Sequence, residues 1–103
     1  MIHEPYRLFF KAFSNRTRLG IIQLLKGGKP KSVGEICEAL GFKQSRVSRN
    51  LKCLADCGFV TAEQNGKQRI YSLNKDTVYP MVTLIERHIS KYQNHLKRCG
   101  VLT

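Results

Sequence analysis

Long apolar runs are missing: nowhere do about 18 apolar residues follow one another, so no membrane-spanning helix is expected. The first ten residues, MIHEPYRLFF, hold Glu4 and Pro5 and lack an apolar secretory segment, which places the chain in the cytoplasm, with the nucleoid, as an expectation. Cysteines are few and irregularly spaced. Cys37, Cys53, Cys57 and Cys99 form no Cys-x-x-Cys pair, so neither a disulfide scaffold nor a zinc ribbon is indicated, and reduced thiols are expected. No Ser/Gly/Pro-rich linker and no internal repeat divides the sequence, so residues 1–103 should form one domain. Three histidines (His3, His88, His95) and seven carboxylates show no nucleophile–base arrangement, no Gly-rich phosphate loop and no H-E-x-x-H, and an enzyme is not expected. Acidic residues are scarce as well: 7 Asp and Glu face 18 Lys and Arg, a formal net charge of +11. So large an excess on a small domain points to a polyanionic partner, nucleic acid before membrane.

What is present is mostly helical periodicity. Tyr6, Phe9, Phe10 and Phe13 fall on one stripe of a first helix over about 4–13. Ser14 or Asn15 can cap a second over about 16–26, with Leu19, Ile22 and Leu25 as its apolar face and Gly27-Gly28 as its stop. Ser32-Val33-Gly34-Glu35 has the form of a capping box and opens a short helix to Leu40. After the Gly41 turn, residues 44–57 bring Val47, Leu51 and Leu54 to one face. Ser45, Arg49, Lys52 and Asp56 lie opposite, with Arg46 and Ser48 on the flanks. Residues 59–64 and 67–73 are β-capable and are joined by Asn65-Gly66, a strong hairpin signal, although the alternation leaves the inner face open. Finally, Val78, Val82, Ile85, Ile89, Tyr92 and Leu96 alternate at spacings of four and three, a heptad seam on a helix over about 76–98 whose first turn holds Pro80.

The expected fold is therefore mainly α with a small β-hairpin wing: a winged helix-turn-helix in the order α-α-α-α-β-β-α. A helix pair joined by a tight turn, its second member basic on the outside, can set side chains in a major groove. Lys67 and Arg69 beside the hairpin tip can reach phosphates or a minor groove.

Several stretches carry a family resemblance: Phe10-Lys11-Ala12-Phe13-Ser14 with Thr17-Arg18-Leu19, Ser32-Val33-Gly34-Glu35-Ile36, Gln44-Ser45-Arg46-Val47-Ser48-Arg49 and Lys52-Cys53-Leu54, with a wing from Gly66 to Leu73. Together they resemble the ArsR/SmtB winged-helix repressors over nearly the whole chain. The resemblance implies a homodimeric repressor whose first and last helices pair the subunits and whose operator, an inverted repeat in double-stranded DNA, is released by an inducer. Interface residues would be Tyr6, Phe9, Phe10, Val82, Ile85, Ile89, Tyr92 and Leu96. DNA contacts carry over to Gln44, Ser45, Arg46, Ser48 and Arg49, with Lys52 on a phosphate. Gln44, Arg46 and Arg49 are the candidates for base readout, since Arg pairs with guanine and Gln with adenine. Members often have His at the position of Asn50 and a Ser or Thr cap at that of Lys43. The same charges would also serve a non-specific chromatin-type winged helix or an RNA binder. A protein-interaction module with residual DNA binding is a further alternative.

The residues name no inducer. Thiolate-sensing members carry cysteines where Ser32 and Gly34 stand, so that metal site should be absent. Zinc-binding members use a carboxylate-x-His motif and a later His and carboxylate. Glu86-x-His88 matches the first half, but Cys99 and Leu102 occupy the later positions. No metal cofactor is expected, with Glu86, His88 and Cys99 as the residual zinc candidates, one ligand short of four. His88 can instead pad the seam beside Ile85 and Tyr92. Among the thiols, Cys53 and Cys57 lie one helical turn apart, an awkward separation for a disulfide, and Cys37 with Cys99 is the better redox pair. All four can also be small apolar core residues.

Overall fold

The computed structural model describes residues 4–102; His3 and the two ends of the expected domain lie outside the described residues. Five helices and three strands follow in order: α1 (Glu4–Ser14), α2 (Arg16–Gly27), β1 (Lys31–Ser32), α3 (Val33–Leu40), α4 (Gln44–Asp56), β2 (Val60–Asn65), β3 (Gln68–Leu73) and α5 (Val78–Arg98). The winged helix-turn-helix architecture matches the expectation, with one strand more. β1 pairs antiparallel with β3, Lys31 opposite Tyr71 and Ser32 opposite Ile70, giving a sheet in the order β1-β3-β2. Two residues are too short to show a period of two, and β1 left no trace in the pattern.

Local signals set the helix ends. Asn15, not Ser14, caps α2, its side chain accepting from the Arg18 N–H at 3.0 Å. Ser32 and Glu35 form the complete capping box of α3: the Glu35 N–H donates to Ser32 Oγ at 3.2 Å, and the Ser32 N–H to Glu35 Oε1 at 2.8 Å. These bonds hold the Glu35 carboxyl below its usual range, first through the Ser32 backbone and then through its side chain. Gly41 closes α3 in the left-handed region at φ +73°, where a side chain would be strained.

The hairpin turns one residue later than Asn65-Gly66. Asn65 pairs with Gln68 as the last strand position, and the loop is Gly66-Lys67. Only Gly66 has positive φ, so this is the Gly-X pattern of a type II′ loop, not the Asn-Gly pattern of type I′. The inner face, left open by the sequence, is set by the register: Val60 opposite Leu73 and Ala62 opposite Tyr71 face the body, with Val60, Tyr71 and Leu73 buried.

The core joins Ile21, Ile22 and Leu25 of α2, Ile36 of α3, and Val47, Leu51 and Leu54 of α4 to Phe59, the hairpin and the start of α5. The aromatic stripe of α1 divides. Phe9 and Phe13 each stack on Phe59 with ring centroids 5.2 Å apart, whereas Tyr6 and Phe10 stay about two-thirds exposed. The α5 seam divides too. Val78 and Val82 are buried in the chain's own core, so Val82 is corrected from an interface position to a core one. Phe9, likewise an expected interface residue, spends much of its ring inside the chain. From Leu84 to His95 every residue is exposed, among them Ile85, Ile89 and Tyr92. α5 is anchored near its start by Lys26, whose Nζ meets Glu86 Oε1 at 3.1 Å and lies over the Tyr79 ring at 4.9 Å.

Candidate nucleic-acid interface

α4 is a 13-residue helix whose buried stripe, Val47, Leu51 and Leu54, rests on the core. At about 100° per residue, Arg49 and Ser45 point almost directly away from that stripe, with Lys52 beside them. Gln44, Ser45, Ser48 and Arg49 are exposed and carry no side-chain hydrogen bond or ion pair within the described residues. Their donors and acceptors are open to a ligand. Lys52 differs, since its Nζ pairs with Asp56 Oδ2 at 3.2 Å, but both partners are largely exposed and such a pair yields easily to a phosphate. Lys43 occupies the N-cap position of α4 without a side-chain bond, so the first backbone N–H groups of the helix are also left open.

Arg46 departs from expectation. Its Nε donates to Thr17 Oγ1 at 2.6 Å, and its guanidinium lies 3.9 Å from the centre of the Phe42 ring. Arg46, expected on the flank of α4, is thus tethered on the α2 side of the helix, with only its Nε committed.

Two further residues hold α4 in place, and neither was singled out from sequence for this role. Arg18 donates from Nε to Ala12 O at 2.9 Å, from Nη2 to Lys11 O at 3.3 Å and from Nη1 to Asn50 Oδ1 at 3.2 Å. Asn50 in turn donates from Nδ2 to Arg46 O at 2.9 Å. The available signal was a polar pair, Thr17-Arg18, inside the first turn of a helix that otherwise faces the core. Its partners on α4, Arg46 and Asn50, lie some thirty positions away, beyond the reach of periodicity.

The wing carries Lys67 in its loop and Arg69 on β3 opposite Gln64, both exposed and both without an ion-pair partner within the described residues. With α4 they supply exposed cationic and hydrogen-bonding groups on elements that pack together through β2.

The sensing candidates do not assemble. Glu86 is engaged by Lys26, and His88 stacks on Tyr92 with centroids 4.7 Å apart. At about 100° per residue, Glu86 and His88 diverge around the helix, and Cys99 lies about 16 Å further along it. Among the described residues no group of three or more His, Cys, Asp or Glu could hold a metal ion. The two thiols of the expected redox pair lie on separate elements. Cys37 lies on α3, which packs on α2, α4, β1 and β3, whereas Cys99 caps α5 some 25 Å beyond Val82, the last buried residue of that helix. Both are free thiols. Cys53 and Cys57 are exposed free thiols at the end of α4; partial desolvation and then the neighbouring Cys53 push the Cys57 thiol up.

No helix among the described residues is long and apolar enough to cross a membrane. The family model described as "Bacterial regulatory protein, arsR family" matches residues 15–62, from the α2 cap to the middle of β2. A "Probable mercury resistance operon repressor" of Streptomyces lividans is 41% identical over 76 residues, 74% of this chain and 60% of that protein. The chain thus spans less than two thirds of that relative's length. "Transcriptional repressor SdpR" of Bacillus subtilis is 31% identical over 87 residues, 84% of this chain and 96% of that one. Among solved structures, a homodimeric winged helix-turn-helix DNA-binding domain from Mycobacterium bovis superposes with a TM-score of 0.76 at 26% identity, covering 92% of this chain and 93% of that chain. The reading helix, the wing and these likenesses converge: the chain belongs to the ArsR family of winged helix-turn-helix, DNA-binding transcriptional regulators.

Proposed function

We propose that the protein is a cytoplasmic repressor that binds an inverted-repeat operator as a homodimer. α4 of each protomer enters the major groove with Ser45 and Arg49 toward the bases and Gln44 and Ser48 toward the groove walls. Lys52, Lys67 and Arg69 engage phosphates. One observation carries this reading: the outward side of α4 bears exposed hydrogen-bonding side chains, Ser45, Ser48 and Arg49 among them without a partner within the described residues, on a helix whose opposite face is locked in the core. A surface of solvated charges alone would not require such rigid backing. The homodimer is supported by the apolar residues left exposed on α5 (Leu84, Ile85, Ile89, Tyr92) and on α1 (Tyr6, Phe10), and by the relative from M. bovis described as homodimeric. Two-fold symmetry then sets half-site centres about 10 base pairs, or a multiple of that, apart.

Selection of bound duplexes from a random pool tests the reading. The expected product is a palindromic consensus that outcompetes random DNA by on the order of 10³ or more at physiological salt. Salt-sensitive binding without any enriched sequence would leave a non-specific coating protein. Absence of duplex binding would leave a protein-interaction module.

A further inference from the structure

Arg46 has two of its donor groups free and one committed, and the commitment fixes where the free ones sit. Its Nε is held by Thr17 Oγ1 at 2.6 Å, and one flat face of the guanidinium is covered by the Phe42 ring. Thr17 itself is 2% exposed, so it is an anchor that cannot swing. The remaining nitrogens, Nη1 and Nη2, make no hydrogen bond or ion pair within the described residues. An arginine pinned through Nε and stacked on a ring loses most of the freedom that a long side chain otherwise surrenders on binding.

The position of this fork on α4 decides what it meets. Arg46 lies about 70° around the helix from the axis opposite Val47, Leu51 and Leu54, on the side facing α2. Ser45 and Arg49 lie within about 30° of that axis. When a helix lies in a major groove, side chains near the outward axis face the groove floor, and those well off it face the walls, where the phosphates are.

We propose that Arg46 is a prebuilt phosphate clamp on one wall of the groove, positioned by Thr17 and Phe42, and that it seats α4 without reading a base. The inference rests on α4 being the groove helix. It divides the arginines of that helix into two roles: Arg49 reads, Arg46 holds. A planar fork with two parallel N–H donors is the geometry that phosphate oxygens accept in bidentate fashion.

The test uses the full chain and its selected operator, with Arg46→Ala, Arg46→Lys and Thr17→Val compared with wild type by fluorescence anisotropy between 50 and 200 mM salt. Each variant is first checked for an unchanged thermal transition and circular dichroism spectrum. One lost phosphate contact per protomer flattens the log–log salt slope of the dimer by about 1.8, so the affinity ratio of wild type to Arg46→Ala should be about twelvefold larger at 50 mM than at 200 mM. The preference for operator over random DNA should stay within about twofold of wild type, because a phosphate contact carries no sequence information. Arg46→Lys should restore the slope but only part of the affinity, since a lysine cannot keep the Thr17 bond and the stacked fork. Thr17→Val should lower affinity in the same sequence-independent way. Placing single uncharged methylphosphonates along the operator should reveal one position per half-site whose neutralisation weakens wild type but not Arg46→Ala.

A tenfold or greater fall in operator preference for Arg46→Ala would make Arg46 a base reader and overturn the proposal. Unchanged binding and slope would make it an internal brace and also overturn it. Failure of the reading of α4 itself is a separate result, because wild type would then show no enriched operator at all.

Discussion

Replacing Ile89 by Ala and Val82 by Ala should separate two roles that a single heptad pattern runs together. Ile89 is 44% exposed in the folded chain and Val82 is 5% exposed. Full burial of an isoleucine side chain contributes roughly 1.5–3 kcal/mol, so covering the open part of Ile89 contributes about 0.7–1.3 kcal/mol per protomer and about 1.3–2.6 kcal/mol per symmetric dimer. Ile89→Ala should accordingly raise the dimer dissociation constant by roughly ten- to a hundredfold. Alanine is the best helix former, so α5 itself loses nothing. Val82→Ala instead removes two buried carbons from the chain's own core, a loss of about 2 kcal/mol of folding stability. Sedimentation velocity over a range of concentrations reads the first effect, and thermal denaturation of dilute, monomeric protein reads the second. Ile89→Ala, whose side chain is partly covered within its own chain, should melt less far below wild type than Val82→Ala as a monomer, yet dissociate at higher concentration and lose operator binding in step. Val82→Ala should melt earlier while its folded fraction dimerises normally. If Ile89→Ala sediments as wild type throughout and binds operator equally well, the exposed strip of α5 is not the subunit interface and the proposed symmetry fails.

Other outcomes follow from individual contacts. Arg49→Ala should cut the preference for operator over random DNA, whereas Lys67→Ala should weaken both alike and flatten the salt slope, which for about four phosphates per protomer starts near −7; equal losses on both duplexes for Arg49→Ala would remove its reading role. Ser32→Ala breaks half of the α3 capping box and should cost about 1 kcal/mol, or roughly 4–8 °C in Tm; an unchanged melting curve would mean the box contributes nothing. The Glu35 carboxyl is held below its usual range, so the stability it adds is present above the unfolded glutamate pKa and is lost as pH falls through the folded value. The Tm advantage of wild type over Glu35→Gln should therefore vanish toward acid pH, and a gap that widens there would reverse the assigned sign. Added zinc should leave operator affinity unchanged, because Glu86, His88 and Cys99 are held apart along α5; a zinc-dependent loss would require ligands shared between protomers.

Much of the architecture was legible because it depends on local signals: the Ser32–Glu35 box, the Gly41 turn, the stripe of Val47, Leu51 and Leu54, and a glycine at the hairpin tip. The losses occurred where one local pattern has two possible partners. A heptad spacing cannot say whether Val82 or Ile89 meets its own chain or another, because both environments reward the same apolar side chain. The same ambiguity split the α1 aromatics, with Phe9 and Phe13 claimed by Phe59 and Tyr6 and Phe10 left outside. On α4, periodicity places Ser45 and Arg49 outward with Ser48 on the flank, whereas Gln44 enters only through the family resemblance. The fixing of Arg46 was hidden, since Thr17 is far away in sequence and a threonine two residues into a helix resembles any other. The hairpin loop shifted by one residue because Asn-Gly and Gly-Lys overlap at Gly66, and backbone twist, not composition, chose between them.

The side chain that couples these parts is Arg18. The carbonyls of Lys11 and Ala12 belong to the last turn of α1; the Arg18 guanidinium donates to both, joining Ser14 Oγ on the Lys11 carbonyl. Its third arm reaches Asn50 on α4, and Asn50 passes the connection to the Arg46 carbonyl inside the same helix. A charged donor serving backbone carbonyls forms stronger bonds than a neutral one. The partly buried setting of its Ala12 and Asn50 bonds also screens it from water. α1 carries Tyr6 and Phe10, which the dimer would cover, and α4 carries the groups that would meet the bases. A shift of α1 at the subunit interface therefore cannot leave α4 untouched without breaking bonds that the guanidinium makes to both. The half-site span of duplex DNA is a narrow target, about 34–36 Å per helical turn. A rigid link between the surface that pairs protomers and the surface that reads bases is what allows two copies to meet that target together, and any ligand that displaces α1 would act on operator affinity through this same link.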